Sequence, residues 1–150
     1  MKKLFSSIIM LALCAFAVTS CSDENEENGG NEQPTVEIST GLYVINSGSM
    51  GNIDGTITTY DYTTKTAMQN AFKTANGVSL GDTPNDAVVY GSKLYIVVTG
   101  ENTIEVVNKN TLKSIKQIKT PELMGEDKGK QPRHILAYGG NVYVSTYDGY

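Results

Sequence analysis

Parts of this chain recur. Residues 84–120 read PNDAVVYGSKLYIVVTGENTIEVVNKNTLKSIKQIKT, and their opening returns from Pro132 as PRHILAYGGNVYVSTYDG. The second half of the same run has an earlier copy. LYVINSG at 42–48, then GTITTYDYTTKTAMQNAF, matches LYIVVTG, then NTIEVVNKNTLKSIKQI. Pro84 and Pro132 stand 48 residues apart, and so do Tyr95 and Tyr143. Each full repeat holds four short β-rich runs divided by turn residues. A unit of roughly 40–50 residues with four strands is the signature of a β-propeller blade. The sequence therefore predicts an all-β chain of blade-like units.

The 150 residues hold a little over two such units. A propeller ring usually closes with about 4–8 blades, and a blade buries both faces against its neighbours. The expectation is that 34–150 is the N-terminal part of a propeller domain rather than a finished ring.

The N-terminus predicts a membrane anchor. Lys2 and Lys3 precede an apolar run, 4–18, that is short of the roughly 20 residues needed to span a bilayer. That is a signal segment, 1–20. Val18-Thr19-Ser20-Cys21 resembles a bacterial lipobox, with small residues ahead of a cysteine that becomes the acylated N-terminus. Cys14 would leave with the signal, so no disulfide is available within the chain. Residues 21–33, CSDENEENGGNEQ, lack apolar side chains beyond the cysteine and read as an acidic flexible tether. Ser22 after the cysteine suits outer-membrane sorting, and the acidic run resembles export signals of cell-surface lipoproteins.

The net charge of −4 arises ahead of the first blade, where Asp23, Glu24, Glu26, Glu27, Glu32 and Glu37 outweigh Lys2 and Lys3. Beyond Ile38, ten acidic residues balance ten basic ones. No basic stripe tracks a phosphate backbone, which argues against nucleic acid as a partner.

Along the body, 34–40 is either a first inner strand or a closing strand for another blade, and the residues do not decide. Strands are expected at 42–46, 56–62, 86–90, 94–99 and 103–108. The segment LKSIKQIK could also be drawn as a short helix turn, but the copy number of the other strands favours a strand whose Lys113, Lys116 and Lys119 guard an outer edge. Residues 70–82 and 120–131 read as polar crossings.

No catalytic constellation stands out. There is one histidine, no metal-spaced His/Cys cluster, no G-x-S-x-G elbow and no P-loop. The chain reads as a binding protein with no catalytic residue, metal or cofactor. Loops entering an inner strand and loops joining the second and third strands gather on one face of such a ring. These loops carry Asn46, Asp86, Arg133, His134, Tyr147 and Asp148, the candidate ligand contacts. His134 is positioned to cap a strand end or to meet the counterpart of Asp86 in a neighbouring blade. Tyr147 offers a flat apolar face with a polar tip. Asn, Asp and Gly are also ordinary turn residues, so the same loops have a purely structural reading.

As whole phrases, LYVINSGSMGNIDGTITTYD and GDTPNDAVVYGSKLYIVVTGENTIEVVNKNTLKSIKQI resemble the YncE-like, surface-layer-type seven-bladed propellers. With the anchor and acidic tether, the chain is similar to the lipoprotein branch that binds vitamin B12 in outer-membrane cobalamin uptake. The resemblance implies a cell-surface lipoprotein that captures a corrinoid for a TonB-dependent transporter. Two other readings stay open: a propeller scaffold for an envelope protein or a glycan, and a propeller lyase or hydrolase.

Overall fold

The computed structural model describes residues 39–125 and 127–149. The expected signal segment, Cys21 and the tether lie outside the described residues. So does the undecided run 34–40, apart from Ser39 and Thr40, which belong to no strand.

The described chain is all-β and antiparallel. Sheet 1 contains β1 (Gly41–Asn46), β2 (Thr56–Asp61) and β3 (Thr66–Met68). Sheet 2 is a four-stranded meander of β4 (Pro84–Tyr90), β5 (Lys93–Val98), β6 (Thr103–Asn108) and β7 (Ser114–Lys119). Sheet 3 pairs β8 (Pro132–Tyr138) with β9 (Asn141–Thr146). The lysine-bearing segment after Thr111 is a strand, as its edge pattern predicts.

Registers superpose along the repeat. Pro84 faces Val98, Val88 faces Tyr95 and Tyr90 faces Lys93 in sheet 2. In sheet 3, Pro132 faces Thr146, Leu136 faces Tyr143 and Tyr138 faces Asn141, each partner 48 positions on. Both first strands also break register just after the proline, between Pro84 and Asp86 and between Pro132 and His134. The sequence period is thus a structural period, down to its irregularities.

Sheet 2 is buried on both faces, which is why β5 reads as an unbroken apolar run. Leu94, Ile96 and Val98, with Val107, meet Ile57 of sheet 1 and the buried Phe72 and Leu80. The opposite face sets Val97 and Ile104 against Ile135, with Tyr95, Val142 and Val144 packed around them. Each such aliphatic side chain contributes about 1.5–3 kcal/mol by leaving water. Glu105 is also buried, in the middle of β6. Its carboxylate accepts bonds from the Ser114 hydroxyl and, at 3.2 Å, from the Gln117 amide on the partner strand.

Two short helices occupy stretches that read as plain crossings. Helix α1 (Ala71–Asn76) buries Ala71 and Phe72 and stops at Gly77, which has φ 78° and donates its N–H to Lys73. Asn76 then pins it to sheet 2. Its amide donates to the Leu112 carbonyl at 2.8 Å, and its oxygen accepts the Ser114 N–H at 2.9 Å. Helix α2 (Thr120–Met124) follows β7 directly, with Pro121 in its first turn, where a missing N–H costs nothing.

The sheets share two ends. At one, the loop end, the β1–β2 and β5–β6 loops meet the chain entering β4 and β8. Ser47 donates its hydroxyl to the Pro84 carbonyl at 2.8 Å, and Thr99 donates to the Pro132 carbonyl at 2.6 Å. At the other, the turn end, tight turns join β2 to β3, β4 to β5 and β6 to β7. There the Lys109 N–H reaches the Ser92 carbonyl at 3.0 Å, and the Tyr43 hydroxyl donates to the Lys109 carbonyl.

Candidate functional site

The loop end is a single hydrogen-bonded surface. The β1–β2 loop closes on itself through Asp54, whose Oδ1 accepts the Ser49 N–H at 2.9 Å. It is tied to the next sheet by Asp82, both of whose carboxylate oxygens accept the Gly51 N–H at 3.1 Å. Asp82 in turn donates its own N–H to Glu101 at 3.2 Å, and its carbonyl accepts the Gly100 N–H at 3.1 Å. Small residues permit these approaches. A Cβ on Gly55 would stand 2.2 Å from the Pro84 ring, and one on Gly100 would stand 2.4 Å from the Asp82 carboxylate.

Asn102 carries the network onward. It sits in the left-handed region with φ 56°, which asparagine tolerates better than most residues. Its carbonyl accepts both the N–H and the hydroxyl of Thr120, each at 3.0 Å. Its side-chain oxygen accepts the Gln131 N–H at 2.7 Å, and the Gln131 carbonyl takes the Tyr147 N–H at 3.0 Å. A continuous path of bonds therefore runs from Gly51 to Tyr147 across all three sheets.

The residues before the two prolines obey one rule. Thr83 and Gln131 both adopt positive φ, 52° and 53°, and their carbonyls accept the N–H of Thr99 and of Tyr147. A side chain in this conformation is strained, and proline on its C-terminal side restricts it further. Both sites hold that conformation because the following proline is fully buried.

The candidate residues fall into three places. Asp86 and His134 are the first paired residues beyond the two equivalent register breaks, a setting that re-aims side chains. They meet: His134 Nδ1 lies 3.5 Å from Asp86 Oδ2, and the same oxygen accepts the Ile135 N–H at 3.0 Å. His134 thus meets Asp86 itself, rather than the counterpart of Asp86 in a neighbouring unit, across the boundary between sheets 2 and 3. Arg133 is exposed beside it, and its carbonyl accepts the Asn85 amide at 2.6 Å. Tyr147 and Asp148 form the second group. Tyr147 is 76 % exposed, and Asp148 Oδ2 accepts the Lys130 N–H at 2.8 Å. Asn46 stands apart, because its amide is turned to the Thr56 and Thr58 hydroxyls at 3.1 and 3.2 Å.

Sequence reading passed over Asp82, Asn102 and Thr120 as individual residues. The signal available for the first was the matched pair GDTP and GKQP ahead of the two strands. Met50 and Ile53 were missed as well, and they project from the braced β1–β2 loop, 87 % and 68 % exposed. Among the described residues, no group of three His, Cys, Asp or Glu side chains is placed to hold a metal.

The sequence model of the family described as Domain of unknown function (DUF5074) matches residues 40–148. The chain belongs to that family. The match begins one residue before β1 and ends two after β9, so the DUF5074 region here coincides with the three sheets and takes in every candidate contact. No curated protein matches this DUF5074 chain.

Proposed function

We propose that the chain is part of a propeller-type binding lipoprotein, anchored through Cys21 at the outer surface of an outer membrane. Its loop end takes a large organic nutrient such as cobalamin and hands it to a TonB-dependent transporter. The observation that carries this reading is the loop end itself. Arg133, His134 and Tyr147 are exposed there, on segments joined by one hydrogen-bonded path. Side chains held this way lose little further freedom on binding, which is the main cost a binding surface avoids by being preorganised.

The propeller reading rests on the repetition of contacts. The hydroxyl after the second strand grips the next proline twice, and sheet 2 lies between two sheets. On its outer face, sheet 3 presents Leu136 and Tyr143, both exposed, at the register where sheet 2 presents Val88 and Tyr95 to sheet 3. A further sheet of the same kind fits that face, and seven is the number the family resemblance carries.

A second reading, a scaffold for an envelope protein, is favoured by one observation. Met50 and Ile53 stand in water on a loop too well braced to fold them away. Exposed apolar groups on a fixed loop suit a protein partner.

Isothermal calorimetry of the folded full-length protein with cobalamin separates the two. The nutrient reading expects saturable heat at micromolar ligand. It also expects a loss of about 1–3 kcal/mol when Arg133 and His134 are both changed to Ala, the cost of leaving polar partners buried and unsatisfied in the complex. No heat from folded protein overturns the ligand assignment and leaves the scaffold reading.

A further inference from the structure

The neutral body is not neutral along its length. At the turn end, Lys65 lies in the β2–β3 turn, Lys93 opens β5, and Lys109 and Lys113 bracket the β6–β7 turn. Among the described residues the carboxylate at that end is Asp61, and it is folded onto its own turn, accepting the Thr63 and Thr64 N–H groups at 2.8 and 2.7 Å. The loop end has the opposite balance. Asp54, Asp82 and Glu101 accept backbone N–H groups there, while Lys119 and Lys130 are paired with Glu122 and Asp127. Charge is thus segregated along the strand direction, basic turns against acidic loops.

The turn end is also where the chain enters the body. Ser39, Thr40 and Gly41 line the lip of a groove of about 1110 Å³, and Thr64 and Lys109 line it too.

We propose that the turn end is a membrane-facing surface whose lysines, Lys65 and Lys109 foremost, lie against the phosphate groups of an anionic bilayer. The inference rests on the lipid-anchor reading of Cys21 for what brings the body to the membrane. Lysines close to an anionic surface are attracted within about a Debye length. The acidic loop end is repelled by the same surface, so both halves of the charge pattern favour one orientation. In this orientation, that of ligand capture rather than of hand-over to a transporter, the loop end points away from the membrane, open to solvent.

The test uses the lipidated full-length protein on two vesicle preparations, phosphatidylcholine alone and phosphatidylcholine with a quarter phosphatidylglycerol. Lysines are labelled with a water-soluble acetylating reagent and read by mass spectrometry. The expected result is that Lys65 and Lys109 react at least fivefold more slowly on the anionic vesicles, and that 0.5 M salt restores them. Lys128 and Lys130, at the loop end, should react alike on both. The double variant Lys65→Glu/Lys109→Glu, checked for folding by circular dichroism, should lose the slowing of Lys93 that accompanies wild-type docking. Equal rates on both vesicles overturn the proposal, as does protection of Lys128 and Lys130 instead. Sedimentation reports the anchor separately. Binding to both vesicles with no lysine protection keeps the anchor and rejects the face. Binding to anionic vesicles alone keeps the face and rejects the anchor, and binding to neither rejects both.

Discussion

Thr99 donates its hydroxyl to the carbonyl of Pro132 at 2.6 Å, inside the boundary between sheets 2 and 3. The bond is buried, and the equivalent one from Ser47 to Pro84 is only part-buried. That difference sets their relative worth, because a carbonyl left without its donor costs most where water cannot replace it.

Thr99→Val should accordingly destabilise the protein by about 1–3 kcal/mol, the range for a buried group left unsatisfied. Ser47→Ala should cost less, since solvent reaches that bond. Urea denaturation of each variant gives the two values. If Ser47→Ala proves the more damaging, burial is not what ranks the two contacts.

Gly55 tests the crowding under the β1–β2 loop. Its N–H donates to the Gly81 carbonyl at 3.0 Å, and a Cβ would lie 2.6 Å from that oxygen as well as against Pro84. Backbone and a buried proline ring cannot give way easily. Gly55→Ala should cost about 1–3 kcal/mol, in the range for overpacking. Gly51→Ala meets no neighbour within 4 Å and carries only the strain of φ 84°, about 1–2 kcal/mol. Thermal melts of the two variants should place Gly55→Ala lower.

Asn102 combines two duties that substitution can separate. Asn102→Gly keeps the left-handed backbone and loses the side-chain bond to Gln131. Asn102→Ala loses both, and should be the worse by about 1 kcal/mol. Equal stabilities by chemical denaturation would mean that the backbone at this hub is not under strain.

Alkaline pH should weaken the turn end. Burial raises the Tyr43 hydroxyl above its ordinary value of 10.0, and ionisation would also remove the proton it donates to Lys109. Below that ordinary value both the folded and unfolded chains keep the proton, and the contribution is complete. Between it and the raised value the unfolded chain gives up a proton that the folded one holds, so stability falls as pH rises. Tyr43→Phe should flatten this part of the decline while costing about 1 kcal/mol at neutral pH. A decline of unchanged steepness in the variant would assign it to other tyrosines.

Attachment at Cys21 makes a simple prediction. Cys21→Ala should abolish incorporation of a palmitate analogue and move the protein out of the lipid-modified membrane fraction. Undiminished labelling of the variant would show that the acyl chains sit elsewhere.

The strands were legible because β5 and β6 sit in a sheet covered on both sides, which demands runs such as KLYIVV and TIEVVN. The equivalence of Pro84 and Pro132 was legible too, but the contact between Asp86 and His134 was not, because it joins two sheets that the repeat pattern does not by itself bring together. Helix α1 was not, since six residues are too few to display a 3.6-residue period. Nor was the role of Asn102, because three of its bonds go to Thr120 and Gln131 in a segment outside its own hairpin. Its left-handed φ is a demand of tertiary structure that a turn-like ENT tripeptide does not announce. Arg133 was read as a contact by position alone, and what anchors that position is its carbonyl, which every residue type possesses.

The clamps at the sheet boundaries all reach in one direction, from the end of a second strand to the proline that opens the following sheet. Each repeat therefore brings one donor for the unit after it and one acceptor for the unit before it. If a whole 48-residue unit is copied or excised, the junction left behind still joins a hydroxyl to a proline. Lineages carrying this fold can lengthen or shorten by entire units without inventing a new joint, and the joint also tolerates loops of unequal length, since 37 residues separate Ser47 from Pro84 and 33 separate Thr99 from Pro132.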